Sequence, residues 1–339
     1  VERCWQYIPV EQYIELVRRT VPVLRELAPE AEVVIGSTTP FVKDINCGGY
    51  EYLMALVESD AVALADAIAW HVGAPSPQFD DWREVYENYD DLTRTIVETA
   101  RANGFDGRFI ADELNWRSTL NPHPYGAEPW AYTPTTAAKY YARGALMNLG
   151  LGFDIGFAGL SSFRETVFKT VKNLCLALDG VEAVQLAVEI DIETEGPVAY
   201  CSFRYPNGDR MLAIWTDGIA QDEGLGVPAT ITFPGLTAGS ATGIDVLHGF
   251  EQELVFETDG EDTIVRDLLI KDYPILIRLS NPIMSSDYEE AVGDGFHRIG
   301  DVGALPSSTG GGSDRDGDGV PDDEDYCPDW PGSKEANGC

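Results

Sequence analysis

What most limits the fold is a regular alternation that fills the first half of the chain and then stops. Short apolar runs occur at 31–37 (AEVVIGS), 65–71 (ADAIAWH), 108–116 (RFIADELNW) and 153–160 (FDIGFAGL). Between and around them lie stretches with helical spacing. The first carries Ile14, Leu16, Val17, Val21, Leu24 and Leu27, and others cover 50–59, 80–103, 134–149 and 163–178. Runs this short, apolar throughout and ending in polar residues, read as strands covered on both faces. Strands alternating with helices of this length call for a parallel sheet built from βα units. Residues 1–180 are therefore expected to be α/β.

After Gly180 the period changes to two. Val184, Leu186, Val188, Ile190 and Ile192 alternate with Gln185, Glu189, Asp191 and Glu193, as in one half-buried antiparallel strand. More short segments follow, including VAYCSFRY, RMLAIWTD, PATITFPG and YPILIRLS, separated by Gly, Asp and Asn turns. They predict an antiparallel β-sandwich over 181–281. Residues 282–313 are polar and end in SSTGGGS, which reads as a flexible linker. Residues 314–339 form a separate module too small for a core.

Composition narrows the function. There are 57 Asp and Glu against 23 Lys and Arg, a formal charge of −34. That argues against a nucleic-acid partner, which would need a basic surface. An acidic solvated surface, cation binding or a saline setting fits better. No run approaches the roughly 20 apolar residues of a membrane helix, so no integral membrane segment is expected. The chain opens at Val1 and soon enters an amphipathic helix, which reads as the C-terminal part of a longer protein. Six scattered Cys make no disulfide framework. Only Cys327 and Cys339 bracket a small unit, and a bridge there would need an oxidising compartment.

In βα barrels the chemistry sits at the C-terminal ends of the strands. The strand at 65–71 ends in His71, and the next ends in Asp112-Glu113, followed by Asn115 and Trp116. A carboxylate, an imidazole and an indole at neighbouring strand ends suit a sugar site. Carboxylates act on the anomeric carbon, and aromatic faces pack on sugar rings. The same residues also fit a cap, a surface ion pair and a structural histidine.

These motifs resemble a known group. Residues 1–280 resemble the C-terminal portion of a retaining glycoside hydrolase of the (β/α)8 clan with catalytic Glu on strands 4 and 7, closest to family 39-like members. ADAIAWHVGAP resembles that clan's strand 6, FIADELNW its strand 7, and APEAEVVIGST its helix 4 and strand 5. LAIWTD, IDVLHG and YPILIRLS resemble the sandwich that closes such enzymes. The resemblance implies a partial (β/α)8 TIM barrel of about strands 5–8. It makes Glu113 the nucleophile and His71 a supporting residue. Asn115, Trp116, His123, Tyr125 and Trp130 would line the sugar subsites. The clan's acid/base Glu follows an Asn at the end of strand 4, and by spacing that pair falls before Val1. Glu2 is a poor substitute, without a preceding Asn and placed late. Without that partner, residues 1–339 alone are expected to show little or no activity. No cofactor is expected for catalysis.

The tail carries the sharpest motif. Asp314, Asp316 and Asp318 stand at positions 1, 3 and 5 of a twelve-residue loop, with Gly319 at 6, Val320 at 7, Asp322 at 9 and Asp325 at 12. Alternate carboxylates then converge on one hard cation, calcium. DRDGDGVPDDEDYCPD resembles a thrombospondin type 3 repeat of secreted and cell-envelope proteins. The expectation is a secreted or envelope-associated glycosidase acting on a polysaccharide or oligosaccharide. The tail would hold structural calcium and offer a point of attachment to the envelope. The alternative is a non-catalytic carbohydrate-binding or adhesive surface protein with a degenerate barrel.

Overall fold

A computed structural model describes residues 8–42, 49–119, 132–160 and 165–300. The first part is a four-stranded parallel sheet of β1 (Val34–Thr38), β2 (Ala67–Trp70), β3 (Arg108–Leu114) and β4 (Asp154–Phe157), in that spatial order. The helices are α1 (Val10–Leu27), α2 (Gly49–Val57), α3 (Asp80–Ala102), α4 (Pro134–Gly150) and α5 (Glu165–Ala177). Helices α1 and α3 pack on one face of this sheet. Side chains on that face form the first core. Ile35, Ile68, Trp70 and Phe109 pack with Ile14, Val17 and Val21 of α1 and with Val85, Tyr89 and Ile96 of α3. Trp70 is fully buried, and its indole N–H donates to the Tyr89 hydroxyl at 3.0 Å, which donates in turn to Asn148 at 2.7 Å. Trp70 and Tyr89 thus enter the core with their polar atoms satisfied.

Fourteen further strands follow among the described residues. They are β5 (Glu182–Gln185), β6 (Glu189–Ile192), β7 (Val198–Arg204), β8 (Arg210–Thr216), β9 (Val227–Phe233), β10 (Leu236–Thr237) and β11 (Ser240–Asp245). The rest are β12 (Phe250–Glu253), β13 (Glu257–Asp259), β14 (Asp262–Ile270), β15 (Ile275–Ser280), β16 (Ile283–Met284), β17 (Ala291–Val292) and β18 (Phe296–Ile299). One antiparallel sheet runs β12-β11-β15-β8-β7-β5-β17, with β18 also on β7, and a second runs β13-β14-β9-β6. The larger sheet is buried on both sides. Met211, Ala213 and Trp215 of β8 belong to the first core, while Leu212 and Ile214 join Ile231, Phe233 and Val265 in a second core under the smaller sheet. Burial of both faces explains why RMLAIWT reads as a continuous apolar run.

Two expectations need correction. The stretch 184–193 is not one strand: β5 pairs with β7 in the larger sheet, and β6 pairs with β9 in the smaller. The chain changes sheets between them without disturbing the alternation. The presumed linker, up to residue 300, is also part of the fold. Phe296 is fully buried and pairs with Cys201, and the Gly295 N–H donates to the carbonyl of Gly150 at 2.7 Å. Arg298 donates to Asp217 at 2.8 Å and to Asp90 of α3 at 3.1 Å, and Arg94 donates to Asp294 at 2.6 Å. A solvated linker would make none of these contacts. Residues 301–313, like the tail, lie outside the described residues.

The helix α4 joins the layers. Thr133 caps it by accepting from the Thr136 N–H at 3.1 Å, and Pro134 occupies its first turn, where no backbone donor is needed. It is buried on nearly every side. Its two cations bond to the loops of the antiparallel sheets. Lys139 reaches Asp272 at 2.7 Å, and Arg143 donates to the carbonyls of Thr216 at 3.1 Å and Gly218 at 2.7 Å.

Candidate functional site

The C-terminal ends of β1, β2 and β3 converge. β1 leaves regular geometry where Gly36 (φ 94°) and Ser37 (φ 47°) both take left-handed backbone conformations, and its register against β2 shifts between Gly36 and Thr38. A Cβ at position 36 would stand 2.4 Å from the carbonyl oxygen of Ala69, so only glycine lets β1 lie this close to β2. The Gly36 N–H donates to the Tyr13 hydroxyl at 3.1 Å, which ties the strand end to α1. β3 has its own register shift against β4 between Ala111 and Leu114. Irregularities of this kind re-aim side chains at strand ends.

Between these strand ends stands His71, whose N–H donates to the Thr38 carbonyl at 2.9 Å. Its Nδ1 lies 2.8 Å from Asp112 Oδ1 and 3.5 Å from Glu113 Oε2. The other Asp112 oxygen accepts from Ser37 Oγ at 2.8 Å. Beyond the strands, the Gly73 N–H donates to the Glu113 carbonyl and the Asn115 N–H to the Gly73 carbonyl, both at 2.9 Å, which fixes the two chains side by side. Ser37 donates to a carboxylate and not to the imidazole, so the group is no serine nucleophile with its base.

The electrostatics follow from these bonds. The hydrogen bond to Asp112 holds His71 above the ordinary histidine range; burial opposes this, and the charges of Asp112 and Glu113 reinforce it. Burial alone would push the Asp112 carboxyl up, but the bonds from His71 and Ser37 and the imidazolium charge leave it below its usual value. All three side chains are half-buried, with 31%, 25% and 39% of His71, Asp112 and Glu113 exposed, so a ligand can reach them.

His71 and Glu113 thus stand together at adjacent parallel strand ends. Two other expectations are corrected. Trp116 offers no sugar platform: it is 1% exposed, donates to the Pro75 carbonyl at 3.0 Å and packs edge-on to Tyr141. It fills a slot in α4 opened by Gly144, where a Cβ would come within 2.1 Å of the indole. Asn115 is 9% exposed, and its side-chain oxygen faces the Tyr141 hydroxyl at 3.4 Å, so it is spent on packing. Glu2, His123, Tyr125, Trp130 and the tail residues Asp314, Asp316, Asp318, Val320, Asp322 and Asp325 lie outside the described residues. Among the described residues, no group of three or more His, Cys, Asp or Glu could hold a metal ion, and no helix is long and apolar enough to cross a membrane. The sequence reading missed Ser37 and the bridging part of Asp112. The one available signal was a Gly-Ser pair ending an apolar strand. A separate groove of about 920 Å³ runs between α2 and α3, and none of these site residues lines it.

No family model matches the chain, and no curated protein matches it. Solved structures with loosely similar folds include the catalytic domain of GH30 xylanase C from Talaromyces cellulolyticus, with a TM-score of 0.46 at 10% identity over 81% of this chain and 58% of that one. Another is a conserved exported protein from Bacteroides fragilis, with a TM-score of 0.41 at 11% identity over 81% of this chain and 60% of that one. A third is an α-fucosidase from Thermotoga maritima, with a TM-score of 0.26 at 12% identity over 68% of this chain and 55% of that one. In each case the chain spans less than two thirds of the other protein's length. These likenesses concern the course of the backbone and assign no residue a role.

Proposed function

We propose that the chain belongs to a retaining glycoside hydrolase acting on a polysaccharide or oligosaccharide. In this reading β1–β4 are one half of a (β/α)8 barrel, and the two antiparallel sheets are its appended sandwich. The observation that carries the reading is the convergence of Glu113, His71 and Asp112 at the C-terminal ends of adjacent parallel strands. That is where such barrels place their chemistry. Glu113 attacks the anomeric carbon, and the bond to the leaving oxygen breaks with its electron pair going to that oxygen. A second carboxylic acid, supplied by the other half of the barrel, protonates the leaving group. It then takes a proton from the water that releases the sugar from Glu113. The two carboxyl groups would stand roughly 5–5.5 Å apart. His71 supports Glu113, and His123, Tyr125 and Trp130 would line the subsites.

The test is covalent trapping. A fluorinated aryl glycoside with a leaving group that needs no protonation should leave a sugar adduct, located by mass spectrometry on the peptide holding Glu113. Glu113→Gln in the complete enzyme should lose several orders of magnitude in turnover while keeping substrate affinity. Adducts on another carboxylate would reject the assignment. Oligosaccharide binding without any adduct or turnover would favour the adhesive protein.

The tail completes the proposal. Asp314, Asp316, Asp318, Asp322 and Asp325, with the Val320 carbonyl, suit calcium, which takes six to eight oxygen ligands. Calorimetry on a peptide of residues 314–339 should show calcium uptake, and no uptake at millimolar calcium would reject it. Calcium held in this way suits a secreted or envelope-associated protein.

A further inference from the structure

Three adjacent strands each give one member to the cluster: Ser37 from β1, His71 from the end of β2 and Asp112 from β3. The Ser37–Asp112 bond spans the end of β2, the strand that His71 follows. Ser37 holds its place in a left-handed conformation that serines seldom adopt, next to a glycine that is also left-handed. Backbone strain at a strand end persists where surrounding contacts over-determine it, and here the contact is with Asp112. Both oxygens of Asp112 are engaged. One is taken by Ser37 and the other by His71, each at 2.8 Å. It is therefore poorly placed to attack a sugar, although it adjoins the residue read as the nucleophile. The imidazole nitrogen that faces Asp112 is 3.5 Å from Glu113, beyond a good hydrogen bond but well within reach of charge.

We infer that Asp112, anchored by Ser37, is a positioning residue. It grips the Nδ1–H of His71, fixes the ring and favours its protonated form. Glu113 thereby gains a fixed counter-charge without surrendering an oxygen to it. The inference rests on Glu113 being the nucleophile, but the arrangement of His71 can be tested apart from that reading. The directions of the His71 and Asp112 ionisations agree with it. Among the described residues, the charged groups that bear on His71 are Asp112 and Glu113, both from β3, while β1 contributes the neutral Ser37 hydroxyl and Thr38 carbonyl.

The experiment is an NMR titration of the histidine rings in the full 339-residue chain, which has four histidines, with His71 assigned by its loss in His71→Gln. The His71 midpoint should lie above the ordinary value of about 6.5, with Nδ1 protonated in the neutral ring as well. Asp112→Asn should lower its proton affinity about tenfold or more, as expected for loss of an adjacent opposite charge. Ser37→Gly keeps the left-handed backbone and removes the hydroxyl, and it should lower the midpoint by less. Glu113→Gln should also move it less than Asp112→Asn. A wild-type midpoint at or below the ordinary value overturns the inference. So does an unmoved midpoint in Asp112→Asn, or a larger shift in Glu113→Gln. Should Asp112→Asn fail to fold, Ser37→Gly carries the test, and no shift there overturns the inference. Full turnover by Glu113→Gln in the complete enzyme would instead sink the nucleophile while leaving the titration as described.

Discussion

Replacing Phe296 with alanine separates a folded segment from a linker. The side chain is completely buried, 6.2 Å from the ring of Trp215, in a strand paired with β7. A Cβ on Gly150 would come within 3.2 Å of it, so α4 presses against it as well. Burying a Phe side chain is worth about 1.5–3 kcal/mol in transfer alone. Helix α4, strand β7 and Trp215 hold the walls in place, so the site cannot collapse. The cavity then raises the loss to about 4 kcal/mol, within the range for Phe→Ala in cores. The same change in a solvated linker would cost no more than about 0.5 kcal/mol. With a urea slope of about 3 kcal/mol/M, the unfolding midpoint should fall by more than about 1 M. Tryptophan fluorescence reads this directly, since Trp215 borders the cavity. A shift below about 0.2 M at unchanged slope would mean that residues 283–299 are not part of the core.

Other perturbations test the strand ends and the helix between the layers. His71 is held above its ordinary value, so its contribution is complete below the unfolded histidine pKa and is lost as pH rises through the folded one. Asp112 is held below its own, so its contribution is present above the unfolded carboxyl pKa and is lost as pH falls through the folded one. The destabilisation of Asp112→Asn, from urea midpoints, should therefore be larger near about pH 5 than near about pH 9, and equal losses would refute the pairing. Gly36→Ala meets the Ala69 oxygen at 2.4 Å, whereas Gly208→Ala has a similar φ of 92° and nothing within 4 Å. The second should cost about 1–2 kcal/mol and the first at least about 3, and equal costs would mean that β1 can move away from β2. Lys139→Met strands the carboxylate of Asp272 and should cost about 3–5 kcal/mol, of which adding Asp272→Asn should restore at least about 1. A double variant no more stable than Lys139→Met would show that the ion pair is not the source of the loss.

Residues 10–177 are readable in the sequence because each apolar run and each helical stripe stands alone between polar breaks. The pattern fails where tertiary contacts decide. Between β5 and β6 the chain passes from one sheet to the other, and side chains keep alternating because both strands have a period of two. The strands at 283–299 are two to four residues long, too short for periodicity to register. They are held by Phe296 and by the ion pairs of Asp294 and Arg298. His71 and Glu113 stand out because they are ionisable residues ending apolar strands. Ser37 does not, because its role depends on a left-handed backbone and on a partner two strands away. Trp116 misleads because an indole just past a strand looks like a loop residue, and its slot is made by Gly144 in the next helix.

The burial of α4 on nearly every side bears on how the protein can be taken apart. The change in sequence rhythm at Gly180 invites a cut there, as though two modules met. But α4 gives its carbonyl end to Gly295 and its cations to loops near Thr216 and Asp272, so neither side keeps a finished surface without the other. A protease cut at the exposed turn near Gly180 should leave the two pieces held together under native conditions. Exchanging the β-layers with a relative by recombination would need α4 to travel with them. The natural seam for a shorter expressed protein lies just after Asp301, where the compact unit ends.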